Sequence, residues 1–428
     1  MLPYVGVIYI KMPNQKHQAP ELDLFYKQCS KLADQISNKR SEIHKLLSSY
    51  ETWEVIEHEI ASSIDALRGV NVEYDDFAQP AKNITACCFL PVNMPLYSLV
   101  LYAVLPSYYF ETIYVRPGAS LSKFVPKLVD ILDLKGLGFD QVKLRDLPAK
   151  LFIDLFARDS DVIIFSGKYS NAVLLERQCP ESMLIFEGTG PCPFFVFENA
   201  DIELTVQKLV DMRCFNSGQD CVAPDVIFVH KDKFDQLTNS LAGALKQVPV
   251  GDSRDKSVRV AQMVKEKYLF AVQEWLETNH ELIMFGGEID TKRLIIHPTI
   301  LSQNIKMHKG AFKELFSPVF YVLVYDDDQA LLEKLNAPIF KERSMYACVF
   351  GDNQAITKQL ELCTVLKNMT VNDQEDGNKA YGGYGSIANF VSYKGLRQAR
   401  PLLLSRDIRD WMLATQDNKL ADRTAQVT

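Results

Sequence analysis

From Ala86 onward the chain alternates short β-rich runs with amphipathic helical stretches, a pattern that confines it to parallel sheets in an α/β fold. Strands are predicted over 86–90, 112–115, 161–165, 194–197, 226–230 and 319–325. Helices are predicted over 122–133, after Ser170, from an acidic N-cap at Asp201, over 234–246 and over 327–335. Ahead of these, apolar residues recur every third or fourth position (Phe25, Leu32, Ile36, Ile43, Leu47, Ile56, Ile60), which predicts two or three helices that Gly69 ends. Residues 70–82 have mixed polarity and are expected to form a hairpin or connecting flap. Residues 1–13 lack a basic leader and a small-residue cleavage site, so they read as a first strand or anchoring arm. The polar residues from about Ala414 are expected to fray.

A chain of 428 residues is too long for one ordinary core and implies two domains. A net charge of −7 gives no footprint for nucleic acid or an anionic membrane, and no apolar run is long enough to span a bilayer. The nine cysteines are odd in number and scattered through apolar runs (Cys87, Cys88, Cys348), which fits reduced thiols in a cytoplasmic protein. None has metal-ligand spacing, and the seven isolated histidines read as structural, so no metal is expected.

One segment could carry chemistry: Phe215-Asn216-Ser217-Gly218-Gln219-Asp220-Cys221 places a cysteine after a glycine-containing turn, where free amides can bind an anion. Taken alone, Cys221 reads as one more buried thiol. The segment resembles the active-site signature of the aldehyde dehydrogenase superfamily, Asn-x-Gly-Gln-x-Cys, and three further blocks stand in that family's order. Phe186-Glu187-Gly188-Thr189-Gly190-Pro191 resembles its Glu-Leu-Gly-Gly-Lys-x-Pro block, with Glu187 34 residues ahead of Cys221. This chain departs from it at Gly188, Thr189 and Pro191, and Gly188-x-Gly190 is no dinucleotide fingerprint by itself. Pro91-Val92-Asn93-Met94-Pro95-Leu96 is similar to Pro-Trp-Asn-Phe-Pro-Leu, and Glu314-Leu315-Phe316-Ser317-Pro318-Val319 to Glu-Ile-Phe-Gly-Pro-Val. His297-Pro298-Thr299 upstream, and Asn372 with Tyr381-Gly382-Gly383 downstream, complete a likeness running from about Ala86 to Tyr384.

The resemblance implies an aldehyde-dehydrogenase-like fold, two doubly wound α/β domains with a small oligomerisation flap. It implies NAD(P)-dependent oxidation of a small-molecule aldehyde through a hemithioacetal and a thioester. Cys221 would be the nucleophile, readily ionised and quick to react with thiol reagents. Glu187 would be the general base for hydrolysis, and Asn93 half of an oxyanion hole. Glu314 would hold the nicotinamide ribose, with Phe316 near the ring. Arg116 stands where the family has a lysine, Ala119 where it has a glutamate, and Lys168 replaces a serine after Gly167 near the pyrophosphate. Two cations without the acid would tolerate the 2′-phosphate of NADP beside NAD, or else reflect drift in a poorly selective site. Asp220 and Val222 would line the tunnel mouth, Asp220 favouring a cationic aldehyde or, on the preferred reading, pointing into solvent. Tyr97 and Tyr102 would form an opposite wall or, as helix-spaced aromatics usually do, join the core.

Residues 1–187 would form the cofactor domain, abbreviated ahead of Ala86, with a flap at 70–82. Residues 188–383 would form the catalytic domain, and 384–428 a tail returning to the cofactor domain or a partner subunit. A weak flap and a weak C-terminal strand near 401–405 favour a homodimer. Two rival readings stand beside oxidation: an acyl-thioester (acyl-CoA) reductase, which the presence of Glu187 disfavours, and a catalytically silent binding or scaffold protein.

Overall fold

The computed structural model describes residues 20–74, 83–310 and 312–425. The N-terminal apolar stripe folds into α1 (Pro20–Asn38), α2 (Arg40–Leu47) and α3 (Trp53–Arg68). Leu22, Phe25, Cys29, Leu32 and Ile36 share one face of α1 and are at most 3% exposed, so α1 packs along α3. Gly69 does end α3, its N–H donating to the Asp65 carbonyl at 2.8 Å. Of the predicted flap, 70–72 is one 3₁₀ turn, and 75–82 lie outside the described residues, as do residues 1–13.

The alternation then runs β1 (Thr85–Phe89), α4 (Pro95–Leu99), β2 (Thr112–Arg116), α5 (Val125–Leu132), β3 (Val142–Leu144), α6 (Ala149–Leu155), β4 (Val162–Ser166), α7 (Tyr169–Gln178) and β5 (Met183–Glu187). These five strands are parallel, ordered β5-β4-β1-β2-β3. Successive residues of β1 enter different cores: Ala86 and Cys88 pack with the N-terminal helices, Cys87 and Phe89 with Phe152 and Ala172 of α6 and α7. A strand buried on both faces must be apolar throughout, which is why Ala-Cys-Cys-Phe reads as strand despite its cysteines.

The second sheet follows with β6 (Phe194–Val196), α8 (Ile202–Cys214), β7 (Ile227–His230), α9 (Lys231–Leu245), α10 (Glu266–Thr278) and β8 (Ile283–Phe285). A small ribbon, β9 (Ile289–Asp290) with β10 (Ile295–Ile296), precedes β11 (Thr299–Asn304) and β12 (Val319–Tyr325). Then come α11 (Asp328–Leu335), α12 (Pro338–Glu342), β13 (Tyr346–Phe350), α13 (Gln354–Thr357), β14 (Thr364–Lys367) and α14 (Val371–Gln374). The order is β14-β13-β6-β7-β12-β11-β8, parallel except for β8. Asp201 caps α8, accepting from the Leu204 N–H at 3.1 Å as its sequence position predicts.

The C-terminal segment departs from expectation. The strand predicted near 401–405 is absent; instead β15 (Asn389–Tyr393) and β16 (Leu396–Ala399) form a hairpin that adds antiparallel to β5. Its two-residue turn, Lys394-Gly395, has φ of +50° and +79°, the left-handed pair that matches strand twist. Residues expected to fray belong to α15 (Leu404–Ala425), which Leu404, Ile408 and Met412 anchor by burying every fourth side chain.

Candidate active site

In the first sheet the chain reverses its winding at β1, which lies between β2 and β4, and ligand crevices form at the carboxyl ends of strands beside such a point. Phe89, Arg116, Ser166 and Glu187 stand at those ends, and all four line a cavity of about 1190 Å³ that also reaches Cys221. The remaining sequence-predicted residues, Asn93, Gly167, Lys168, Asp220, Val222, Glu314 and Phe316, line the same cavity.

Cys221 follows an abrupt backbone corner at the end of α8. Asn216, Ser217 and Gly218 take three consecutive left-handed conformations, with φ of +47°, +55° and +72°. Such strain costs about 1–3 kcal/mol per non-glycine residue and persists only where the surroundings hold it. Here Ser217 Oγ accepts from the Ala261 N–H at 2.8 Å and Gln219 Oε1 from the Val264 N–H at 2.8 Å. Gly218 presses on the Ser317–Pro318 backbone, where a Cβ would come within 2.3 Å of a carbonyl, so the cysteine loop is seated directly on the Glu314–Pro318 segment.

Beneath the corner Arg213 of α8, 1% exposed, donates through Nε to the Val319 carbonyl at 2.9 Å and pairs with Asp225 at 3.2 Å. Asp225 also accepts from the Leu315 N–H at 3.3 Å, so one buried ion pair ties α8, β12 and the Glu314 segment together. Arg213→Ala would strand Asp225 in the core. It is expected to cost about 3–5 kcal/mol of stability, measured as a lowered denaturation midpoint in urea.

Cys221 is partly buried, and its Sγ lies 3.2 Å from the Tyr381 hydroxyl. Burial, and then the Asp220 carboxylate, push the thiol well above its ordinary range, against its hydrogen bond with Tyr381. The readily ionised thiolate that the resemblance implies is thus opposed by its surroundings in the ligand-free chain. Asp220 does not point into solvent either. It is 9% exposed, its Oδ1 accepts from the Val222 N–H at 3.0 Å, and burial raises its carboxyl.

Glu187 ends β5 and is 9% exposed. Burial raises its carboxyl to about 7, opposed by a hydrogen bond from the Tyr102 hydroxyl. Tyr97 belongs to the core beneath the first sheet and Tyr102 packs against it, and both also line the cavity, so each of the two readings holds. Residues 100–104 form a π-helical turn. Its wider winding brings positions five apart toward one face, which an α-helix would separate.

The Asn93 loop is gripped through its backbone. Ser98 Oγ donates to the Asn93 carbonyl at 3.2 Å, and the Met94 N–H, at φ +50°, donates to Glu51 at 2.8 Å. Glu59 accepts from the Leu96 and Tyr97 N–H groups at 2.7 and 3.0 Å. Burial raises both carboxyls, Glu59 further because Glu51 lies beside it.

On the other side of the cavity, the first turn of α7 follows Gly167 without a side-chain cap, and Lys168, Ser170 and Asn171 border the opening. Free N–H groups at a helix start suit a pyrophosphate. Glu314 is held by Arg343 at 3.1 Å through Oε2, while its buried Oε1 has no partner. That acceptor suits a sugar hydroxyl. Arg116 Nε donates to the Leu147 carbonyl at 2.9 Å, and the residue lines the cavity. These residues fit a dinucleotide; among the described residues no cluster of His, Cys, Asp and Glu could hold a metal ion.

Sequence reasoning reads Tyr102 as wall or core without its bond to Glu187, and it gives no role to Tyr381. Each meets its partner from far along the chain, 85 and 160 residues away. Tyr381 carries a signal only in heading the Tyr-Gly-Gly block.

Comparison with known proteins gives the family and the fold. The model of the aldehyde dehydrogenase family matches residues 155–389. Succinate-semialdehyde dehydrogenase [NADP(+)] 2 of Schizosaccharomyces pombe is 25% identical over 248 residues, 55% of this chain and 47% of that protein. Aldehyde dehydrogenase family 2 member B4, mitochondrial, of Arabidopsis thaliana is 29% identical over 243 residues, 54% of this chain and 44% of that protein. The chain thus spans about half the length of the curated relatives it matches. Among solved structures, a glyceraldehyde-3-phosphate dehydrogenase from Methanocaldococcus jannaschii complexed with NADP superposes with a TM-score of 0.75 at 17% identity, covering 91% of this chain and 88% of that one. A betaine aldehyde dehydrogenase from Staphylococcus aureus in complex with NAD+ gives 0.74 at 17% identity, covering 89% and 80%. These two likenesses show the fold.

Proposed function

Because the chain belongs to the aldehyde dehydrogenase family, we propose that it oxidises an aldehyde to a carboxylic acid with NAD or NADP, using Cys221 as nucleophile and Glu187 as general base. The observation that carries the reading is one cavity bordered by a cysteine set after a strained corner, a carboxyl poised near neutrality and an unpartnered Glu314 oxygen.

In this reading the ionised sulfur of Cys221 bonds to the carbonyl carbon, and the carbonyl π pair moves to oxygen. A bare aldehyde is a poor hydride donor, and the tetrahedral adduct is a good one. Asn93 and the Cys221 N–H would hold the oxyanion, such a donor contributing about 2.7–4 kcal/mol in other enzymes. A bound nicotinamide supplies the two-electron acceptor for hydride. The acyl group is left on Cys221 as a thioester. Glu187 takes a proton from water, the water oxygen bonds to the acyl carbon, and the C–S bond breaks to release the acid.

The cofactor side supports acceptance of NADP. Ala119 offers no carboxylate to repel a 2′-phosphate, and Arg116 brings a guanidinium to the cavity lining. A charged hydrogen bond of about 1.5–3 kcal/mol predicts that Arg116→Ala raises KM for NADP about tenfold to a hundredfold and leaves KM for NAD nearly unchanged.

The test is a panel of aldehydes with each cofactor, followed as reduced nicotinamide. Turnover with aldehyde supports the reading. Silence there with reduction of acyl-CoA thioesters would reverse the direction, and silence in both assays would leave a binding or scaffold protein. A dimeric, cytoplasmic protein is part of the same proposal; among the described residues no helix is long and apolar enough to cross a membrane.

A further inference from the structure

The groups around Cys221 are poorly suited to a nucleophilic sulfur. Asp220 precedes it, Glu187 faces it from β5, and both carboxyls oppose ionisation, as does burial. Tyr102 from the π-helical turn, Cys192 from the loop after β5 and Tyr346 from β13 also act electrostatically on this centre. Asp220 also hydrogen-bonds the thiol but as a carboxylate that raises it, whereas Tyr381 brings a neutral hydroxyl into hydrogen-bond contact with Sγ at 3.2 Å.

That hydroxyl is fixed from several directions. The Tyr381 N–H donates to the Leu402 carbonyl and the Leu402 N–H to the Tyr381 carbonyl, each at 2.8 Å. Its ring packs tilted on Tyr346 with centroids 5.3 Å apart, and the Tyr346 hydroxyl accepts from the Gly382 N–H at 3.0 Å. Gly382, at φ +106°, lies against the Asn389 carboxamide, where a Cβ would come within 2.4 Å of the amide nitrogen. The corner is closed behind the ring, and the hydroxyl is aimed at the sulfur.

We infer that Tyr381 is a further catalytic residue, whose hydroxyl donates to the Cys221 sulfur, stabilising the thiolate that attacks and the thiolate that leaves when the thioester is hydrolysed. The hydroxyl keeps its proton throughout. A neutral donor suits this site because it favours the charged sulfur without introducing a cation that would pair with Asp220 or Glu187 instead. The direction of its effect agrees, since the Tyr381 bond lowers the thiol while burial and the two carboxyls raise it.

The inference rests on the proposed nucleophilic role of Cys221, and its test is independent of turnover. Alkylation of the full chain by iodoacetamide, without aldehyde or cofactor, is followed against pH at the Cys221 peptide by mass spectrometry. Tyr381→Phe keeps the ring and is expected to move the alkylation profile up by about one pH unit, a tenfold slower reaction at any pH below both midpoints. Placing 3-fluorotyrosine at 381, a more acidic donor of nearly the same shape, should move the profile down. This second variant decides the matter if Tyr381→Phe unfolds. Profiles that superimpose on the wild type would overturn the role of Tyr381 even in a chain that oxidises aldehydes. The two opposite shifts in a chain that oxidises none would uphold the Tyr381–sulfur bond and overturn the dehydrogenase reading.

Discussion

Cys221→Ala is expected to abolish aldehyde oxidation, lowering kcat by about 10⁴- to 10⁶-fold, as loss of a covalent nucleophile does elsewhere. The size follows from the chemistry, since without the sulfur no tetrahedral adduct forms and the aldehyde hydrogen has no reason to leave as hydride. The fold should survive. The side chain is only partly buried, and the corner before it is held by Ser217, Gln219 and Gly218 rather than by the thiol. Matching thermal unfolding beside lost production of reduced cofactor would therefore assign the loss to chemistry. Turnover within tenfold of the wild type would remove Cys221 from the mechanism, and with it the strained loop's reason to exist.

Much of the fold is legible because strands buried on two faces leave unbroken apolar runs, as in Val319–Tyr325, and because acidic caps such as Asp201 mark where helices begin. The C-terminal hairpin is not legible. Lys394-Gly395 lacks the Asn-Gly signature of a tight turn, and the apolar run at 401–404 imitates a strand, although Leu404 opens a helix whose buried residues recur every fourth position. The same division holds at the site. Cys221, Glu187, Asn93 and Glu314 sit in contiguous blocks, whereas the Tyr102 and Tyr381 contacts are made only by folding. Tyr102 also lies on a π-helical turn, whose period a 3.6-residue template passes over. The burial of the thiol and the Asp220 carboxylate beside it, which both push it upward, are tertiary effects that the order of residues alone does not show.

Glu187→Gln is expected to separate the two halves of the reaction. Glutamine preserves the shape and a hydrogen bond with Tyr102 but cannot take a proton from water, so the thioester should form at a normal rate and then persist. Pre-steady-state measurement would show a burst of reduced cofactor approaching one per site, followed by turnover slower by about 10²- to 10⁴-fold. The pH profile carries the same assignment. Burial holds the Glu187 carboxyl at about 7, and only the ionised form accepts a proton. Hydrolysis in the wild-type protein should therefore fall as pH drops through about 7 and level off above it, and Glu187→Gln should lose that inflection. Slow turnover without a burst would place the glutamate's effect before hydride transfer. An inflection retained in Glu187→Gln would mean that another group is the base. Because the inflection reports hydrolysis and the Cys221 alkylation profile reports the free thiol, the two titrations can be assigned separately within one cavity.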